Sequence, residues 1–75
     1  MTQKEMILKY MIENGSITTL ESMRKLLILD PQSIIRTLRN EGYNIKDEYI
    51  TKKNIYGTYS RFKRYYLEEE NVYSI

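Results

Sequence analysis

The stretch "TTLESMRKLLILDPQSIIRTLRNEG", residues 18–42, decides the fold because it holds the signals for two helices separated by a short connection. Thr18 and Glu21 form a capping box, in which each side chain accepts a hydrogen bond from the backbone amide of the other residue. Apolar residues then recur at helical spacing, which predicts a helix over about residues 19–27.

The second helix of this stretch begins at Asp30 and Pro31. Aspartate is a favoured N-cap residue, and a proline at the first helical position already has the required φ angle. The helix is predicted over about residues 31–41, with Gly42 closing it. Because only a short turn separates the two helices, they must cross sharply, which is the helix-turn-helix arrangement.

The flanking segments complete the fold prediction. Upstream, another capping box and the pair Asn14-Gly15 predict a first helix over about residues 3–14, and "SITT" then predicts a short extended piece with Ile17 pointing inward. Downstream, the apolar period changes from 3.6 towards 2, as in strands. One strand is predicted over about 43–51, a connection over 53–58, and a return strand over about 59–67.

Three helices followed by a β-hairpin give an α+β fold class, a winged helix-turn-helix in which the hairpin is the wing. Residues 1–69 are expected to form this single domain, and residues 70–75 an irregular tail.

The composition argues against several classes of protein. The 75 residues contain neither Cys nor His, so disulfides, the usual zinc sites and most nucleophile–base pairs are missing. We therefore expect no metal, no cofactor and no enzymatic activity. The longest apolar run, "LLIL" at residues 26–29, is far too short to span a membrane, and the N-terminus lacks the apolar region of a signal peptide. A cytoplasmic protein without a membrane partner is expected.

Charge is unevenly distributed along the chain. The formal net charge is only +2, but residues 36–64 contain eight basic residues against three acidic ones. The stretch "TKKNIYGTYSRFKRYY", residues 51–66, has five basic and five aromatic residues and no acidic one. This pattern favours a surface that faces a polyanion, with an ordinary solvated surface as the alternative.

A helical wheel places Pro31, Ile35, Leu38 and Gly42 on one side of the third helix, which must pack on the other helices. The opposite polar side suits base edges in the major groove, where arginine pairs with guanine, and asparagine or glutamine with adenine. A plain solvated helix face is the alternative. The predicted base contacts are Gln32, Ser33, Arg36, Thr37 and Asn40.

Contacts to the DNA backbone are expected chiefly from the wing, because cationic side chains near a hairpin tip reach the phosphates beside the groove. A hairpin edge kept soluble by its lysines is the alternative. The predicted phosphate contacts are Arg39, Lys52, Lys53, Tyr56, Arg61, Lys63 and Arg64.

Other apolar residues near these sites are expected to serve packing. Ile34 is interpreted as a residue at the edge of the core, while contact with a thymine methyl group or with a protein partner stays open. Tyr59, like Tyr56, is expected near the DNA backbone. Five other aromatic residues are expected mostly to pack the sheet on the helices. They are Tyr43, Tyr49, Phe62, Tyr65 and Tyr66.

The sequence also resembles a known family. "LESMRKLLILDPQSIIRTLRNEGYNI", residues 20–45, followed by "ITKKN" and "RYYLEE", is similar to the small helix-turn-helix domains common in phages and prophages of Gram-positive bacteria. The resemblance covers about residues 2–69 and implies a winged helix DNA-binding fold in a mobile-element setting.

Three positions depart from that family's pattern. Leu27 stands where the family has a glycine, Ile34 where it has an arginine, and Thr37 where it has an aspartate. Because leucine is poor at positive φ, we expect the turn at Leu27 to have a different shape.

Three functions stay open. A DNA-binding protein would be a nucleoid-associated transcriptional regulator, reading two half-sites as a homodimer, or an excisionase-like factor that lines up along double-stranded DNA. Alternatively, the protein would bind and inhibit a host protein or nucleoprotein complex through Leu27, Leu29, Ile34 and the acidic tail.

Overall fold

The computed structural model describes residues 1–68, so the tail predicted over residues 70–75 lies outside the described residues. The predicted helices and hairpin strands are confirmed to within two residues at each end, and the extended piece is a short third strand. The elements are α1 (Gln3–Asn14), β1 (Ile17–Thr18), α2 (Thr19–Leu26), α3 (Pro31–Asn40), β2 (Ile45–Lys53) and β3 (Tyr59–Leu67).

The three strands form one antiparallel sheet in the order β1-β3-β2. In the β2–β3 hairpin, which is the wing, Ile45 pairs with Leu67 and Lys53 pairs with Tyr59. This register places odd-numbered residues of both strands on one face and even-numbered residues on the other. We call the odd-numbered side the inner face, because its Ile45 and Tyr65 are buried in the core, and the even-numbered side the outer face.

The core lies where the base of the wing meets the three helices. Ile17 points into it as predicted, and Ile34 is half-buried against it, which confirms its place at the core edge. Burial raises the pKa of the Tyr65 phenol, but Tyr43 and Tyr49 are exposed, so the packing role expected for these two residues is wrong. The buried apolar residues are Ile7, Met11, Ile17, Ile28, Ile35, Leu38, Ile45 and Tyr65.

The turn between α2 and α3 keeps a left-handed residue although no glycine is present. Leu27 has φ 57° and ψ 33°, so the expectation of a differently shaped turn is wrong. The amide of Ile28 donates to the carbonyl of Ser22 at 3.0 Å, and the buried Ser22 hydroxyl donates to the carbonyl of Ile28 at 2.8 Å. These bonds and the burial of Ile28 offset the cost of the leucine conformation.

Replacing Leu27 by glycine should therefore stabilise the protein. The left-handed conformation costs a residue with a Cβ about 1 kcal/mol, and the Leu27 side chain, 81% exposed, loses little packing when removed. The greater freedom of glycine in the unfolded chain offsets part of this gain. We expect Leu27→Gly to raise the free energy of unfolding by about 0.5–1 kcal/mol, measured by urea denaturation.

Leu29→Gly is the matched control, because Leu29 is 78% exposed but does not have a positive φ. This variant should lose stability, since glycine adds only unfolded-state freedom there. Equal losses for the two variants would contradict the assignment of strain to Leu27.

Arg39 joins the C-terminal end of α3 to the wing. Its Nε donates to the carbonyl of Ile45 at 2.9 Å, and its guanidinium lies 2.9 Å from Oδ2 of Asp47. The Nζ of Lys63 lies 3.8 Å from the same carboxylate. The hydrogen bond from Arg39 lowers the pKa of Asp47 below its ordinary value of 3.8; partial burial opposes this shift, and the charge of Lys63 adds to it.

This pKa shift predicts a pH-dependent contribution to stability. Because the pKa of Asp47 is lower in the folded chain, the contribution is fully present above the ordinary pKa and is lost as the pH falls through the folded value. The gap in stability between the wild type and Asp47→Asn should therefore narrow between about pH 5 and pH 2, measured by urea denaturation. Glu13→Gln is the control, because it removes a carboxylate of α1 whose ion pair with Lys9, at 3.9 Å, is largely exposed, and exposed pairs of this kind contribute little to stability. A constant gap for Asp47→Asn would contradict the assignment.

Candidate nucleic-acid interface

The inner face of the wing carries aromatic and cationic side chains in contact with one another. The Cζ of Arg61 lies 4.3 Å from the ring centroid of Tyr49, and the Nζ of Lys63 lies 5.5 Å from the same centroid. Nearer the tip, the Nζ of Lys53 lies 5.4 Å from the ring centroid of Tyr59. Cation–π attraction of this kind holds flexible basic side chains on one side of a sheet. We call these five residues the inner cation row.

The outward side of α3 is exposed as predicted, and Pro31, Ile35 and Leu38 form its buried side. The Ser33 hydroxyl donates to the carbonyl of Asp30 at 3.3 Å, and the Thr37 hydroxyl donates to the carbonyl of Ser33 at 3.1 Å. Both hydroxyl protons are thus used inside the helix, and the two oxygens remain available as acceptors. The exposed residues are Gln32, Ser33, Arg36, Thr37 and Asn40.

The five predicted base-contacting residues do not all lie beside the wing. Ser33 and Thr37 border a shallow depression together with Ile34 and the start of α1. Gln32 lies on the other side of the helix and borders the wing. The outward side of α3 therefore extends from α1 to the wing.

A cleft of about 340 Å³ separates the start of α3 from the inner face of the wing. Gln32 and Pro31 line one side, and Tyr49, Arg61 and Lys63 line the other. The cleft brings an amide that can pair with a base edge close to two cations that can pair with phosphates. We call it the α3–wing cleft.

The predicted phosphate contacts divide between the two faces of the wing. Register puts Lys53, Arg61 and Lys63 on the inner face and Lys52 and Arg64 on the outer face. The sequence has no acidic residue from 49 to 67, so neither face of the wing tip is neutralised locally. Tyr56 lies at the tip and is exposed.

Three of the predicted phosphate contacts already have ion-pair partners within the chain, and one of them is Lys63, which lies 3.8 Å from Asp47. Arg39 is bonded to β2 as described above, and its contact with DNA stays a prediction. Arg64 pairs with Glu48, and its Nε donates to the hydroxyl of Ser16 at 3.1 Å. These two arginines hold elements together, and the cations of the inner row carry the exposed charge on the α3 side.

Tyr49 is a candidate functional residue that the sequence reasoning missed. The sequence predicts a packing role for it, because an aromatic residue in a strand usually contacts the core. The signal was the hairpin register: a tight turn over residues 54–58 pairs Lys53 with Tyr59 and therefore Tyr49 with Lys63. Counting back from the turn would have placed Tyr49 among cations.

Two structural findings concern other classes of site. Across residues 1–68, no three His, Cys, Asp or Glu side chains are grouped so that they could hold a metal ion. No helix in the same part of the chain is long and apolar enough to cross a membrane.

Comparison with known proteins agrees with this architecture. A family model described as a winged helix-turn-helix domain matches residues 2–70, nearly the whole chain of 75 residues. No curated protein and no solved structure matches the chain. The domain type is confirmed, whereas the phage setting implied by the resemblance stays a prediction. With three helices, a wing and a family match over almost its full length, the chain belongs to the winged helix-turn-helix domain family, a fold typical of DNA binding.

Proposed function

We propose that the protein binds double-stranded DNA with a sequence preference, placing α3 in the major groove and the inner face of the wing on the adjacent backbone. The observation that carries this proposal is the α3–wing cleft, where Gln32 lies opposite Arg61 and Lys63. A groove and the phosphates beside it present this combination of base edges and negative charge.

Base recognition falls mainly to Arg36, Gln32 and Asn40, which are exposed along the outward side of α3. Arginine donates two hydrogen bonds to guanine, and glutamine or asparagine pairs with adenine. Ser33 and Thr37, on the part of α3 that borders α1, contribute hydroxyl oxygens that can accept hydrogen bonds from bases. Because their hydroxyl protons are bonded within the helix, they distinguish bases less sharply.

Backbone binding falls mainly to the inner cation row, of which Lys53, Arg61 and Lys63 are the charged members. Lys52, on the outer face of the wing, and Tyr56, at its tip, add further contacts with the DNA backbone. Arg39 and Arg64 contribute less, since reaching a phosphate would compete with their bonds to Asp47 and Glu48. The ion pair with Asp47 likewise weakens the contribution of Lys63 relative to Lys53 and Arg61.

Within this function, we propose a small regulator of transcription or an excisionase-like factor of a phage or prophage. A regulator that reads two half-sites binds as a homodimer, whereas an excisionase-like factor lines up in several copies along the DNA. The mass of the complex on a short and on a long duplex, measured by sedimentation, distinguishes the two assemblies.

The test of DNA binding is its salt dependence. If roughly five to seven phosphates are contacted, the logarithm of the binding constant should fall with the logarithm of salt concentration at about −0.9 per phosphate. We expect anisotropy titrations of a labelled random duplex to show tight binding at low salt and a steep loss towards physiological salt. An affinity that hardly changes with salt, or no binding at low salt, would defeat the proposal.

The division between base and backbone contacts predicts different behaviour for two variants. Arg36→Ala should weaken binding to a selected preferred sequence by about 1–3 kcal/mol and affect random DNA far less. Lys53→Ala should weaken both DNAs alike and reduce the salt slope by about one. Parallel titrations of both variants on both DNAs provide the measurement.

Lys52→Ala is the matched control, because Lys52 is the neighbouring lysine on the outer face of the wing. It should reduce affinity less than Lys53→Ala does. Equal losses for the two lysine variants would show that the wing face does not determine the contact, and equal losses for Arg36→Ala on both DNAs would contradict its role in base recognition.

A second candidate function is inhibition of a host protein or nucleoprotein complex. The observation that favours it is the apolar surface of the α2–α3 turn, where Leu27 and Leu29 are both largely exposed. Ile34 extends this surface little, because it is half-buried against the core. A pull-down from host lysate that is lost in a Leu27→Ser, Leu29→Ser variant, together with no binding to duplex DNA, would favour this function.

A further inference from the structure

The tip of the wing is a well-ordered turn that holds an aliphatic side chain out into solvent. The Asn54 amide donates to the carbonyl of Thr58 at 2.8 Å, and the Gly57 amide donates to the carbonyl of Asn54 at 3.0 Å. The Asn54 side-chain oxygen also accepts from the amides of Tyr56 and Thr58, at 2.9 and 3.0 Å. Four hydrogen bonds across five residues therefore fix the direction of the side chains at this tip.

The turn itself does not explain the presence of Ile55. Asn54 supplies the bonds, and Gly57 supplies the positive φ of 81°. Turn positions favour Gly, Pro, Asn, Asp and Ser, each for a backbone reason, and isoleucine is not among them. Ile55 nevertheless stands 90% exposed, and Tyr56 beside it is 86% exposed. An aliphatic side chain fixed in this position has a large apolar area to bury against a partner.

We propose that Ile55 is an apolar wedge that enters the minor groove and partly unstacks a base step, so that binding kinks the DNA. The inference rests on the proposed function. Base faces are the apolar surface that a duplex offers, and aliphatic side chains inserted between base steps kink it by about 20–90°. Lys53 directly precedes the tip on the inner face of the wing, where it can hold a phosphate at the edge of the groove. Lys52, on the outer face, contributes less.

An exposed isoleucine next to lysines also suits an anionic membrane surface. DNA is the favoured occupant, because the cations of the inner row continue from Lys53 through Arg61 and Lys63 to the α3–wing cleft. A planar membrane surface would meet the tip but would leave that cleft and the outward side of α3 unused.

The test measures DNA geometry and affinity separately. A duplex of about 30 base pairs carries a dye at each end and 2-aminopurine at a central TA step, because pyrimidine–purine steps kink most easily. With the wild-type protein at low salt, we expect the ends to approach and the 2-aminopurine fluorescence to rise as the base unstacks. With Ile55→Ala both signals should largely disappear, while affinity changes by less than about tenfold, since the cost of unstacking offsets the gain from burial.

Two variants keep the test specific. Ile55→Leu supplies another aliphatic wedge and should retain both signals. Ile12→Ala removes an isoleucine that is 66% exposed on α1, away from the wing, and should behave as the wild type does. Because Ile55 and Ile12 both lie at the surface, the variants should fold, which circular dichroism checks.

The outcomes separate the wedge from DNA binding itself. An undiminished bend in the Ile55→Ala complex, or wild-type binding without any bend, would overturn the wedge and leave the proposed function intact. Failure of the wild type to bind any duplex would overturn both. If the protein instead floats with phosphatidylglycerol–phosphatidylcholine vesicles in an Ile55-dependent manner and bends no DNA, the tip is a membrane contact and the wedge is wrong.

Discussion

The relative orientation of α3 and the wing depends on the guanidinium group of Arg39. The wing extends far from the helices, since the molecule measures 52 × 29 × 20 Å, and only its base, at Ile45 and Tyr65, lies in the core. The pairing of β1 with β3 and the bond from Arg64 to Ser16 hold the wing to the segment before α2, and Arg39 attaches it to α3 by bonding to the Ile45 carbonyl and the Asp47 carboxylate. Because these bonds add to the packing of Ile45 in the core, Arg39 restricts how the C-terminal end of α3 lies against the base of the wing. Two of its five N–H donors are therefore used within the chain.

Asp47 arranges the charges of the wing as well as the position of α3. It is the acidic residue on the inner face, and Arg39 and Lys63 approach it from two sides. Lys63 in turn approaches the ring of Tyr49, which also faces Arg61. Each cation is thus restrained by a neighbour on the same face before any ligand binds. A long basic side chain normally loses conformational entropy when it binds a ligand. Because these side chains are already restrained, they lose less.

The elements that the sequence predicted well are those with local signals, and the parts it missed depend on distant pairing. The capping boxes at Thr2 and Thr18 involve residues three apart, so they are visible in the sequence and are present in the structure. The partners of Arg39 and the exposure of Tyr49 follow from the register of two strands and the crossing of a helix. The prediction for the turn at Leu27 was wrong for another reason: the bonds between Ser22 and Ile28 and the burial of Ile28 hold leucine in a conformation that it does not prefer. The intrinsic preference of leucine gives no sign of that constraint.

The position of Leu29 relates the two candidate functions to each other. This residue lies at the end of the α3–wing cleft, beside Gln32 and Arg61, as well as in the exposed apolar surface of the α2–α3 turn. A protein partner that covered both exposed leucines would therefore also cover the end of the cleft proposed for DNA. Since two bulky ligands cannot occupy one surface, DNA and such a partner would exclude each other on a single protein molecule. One molecule could therefore bind a host protein only while it is free of DNA. A complex containing both the DNA and the host protein would need two molecules, one for each ligand.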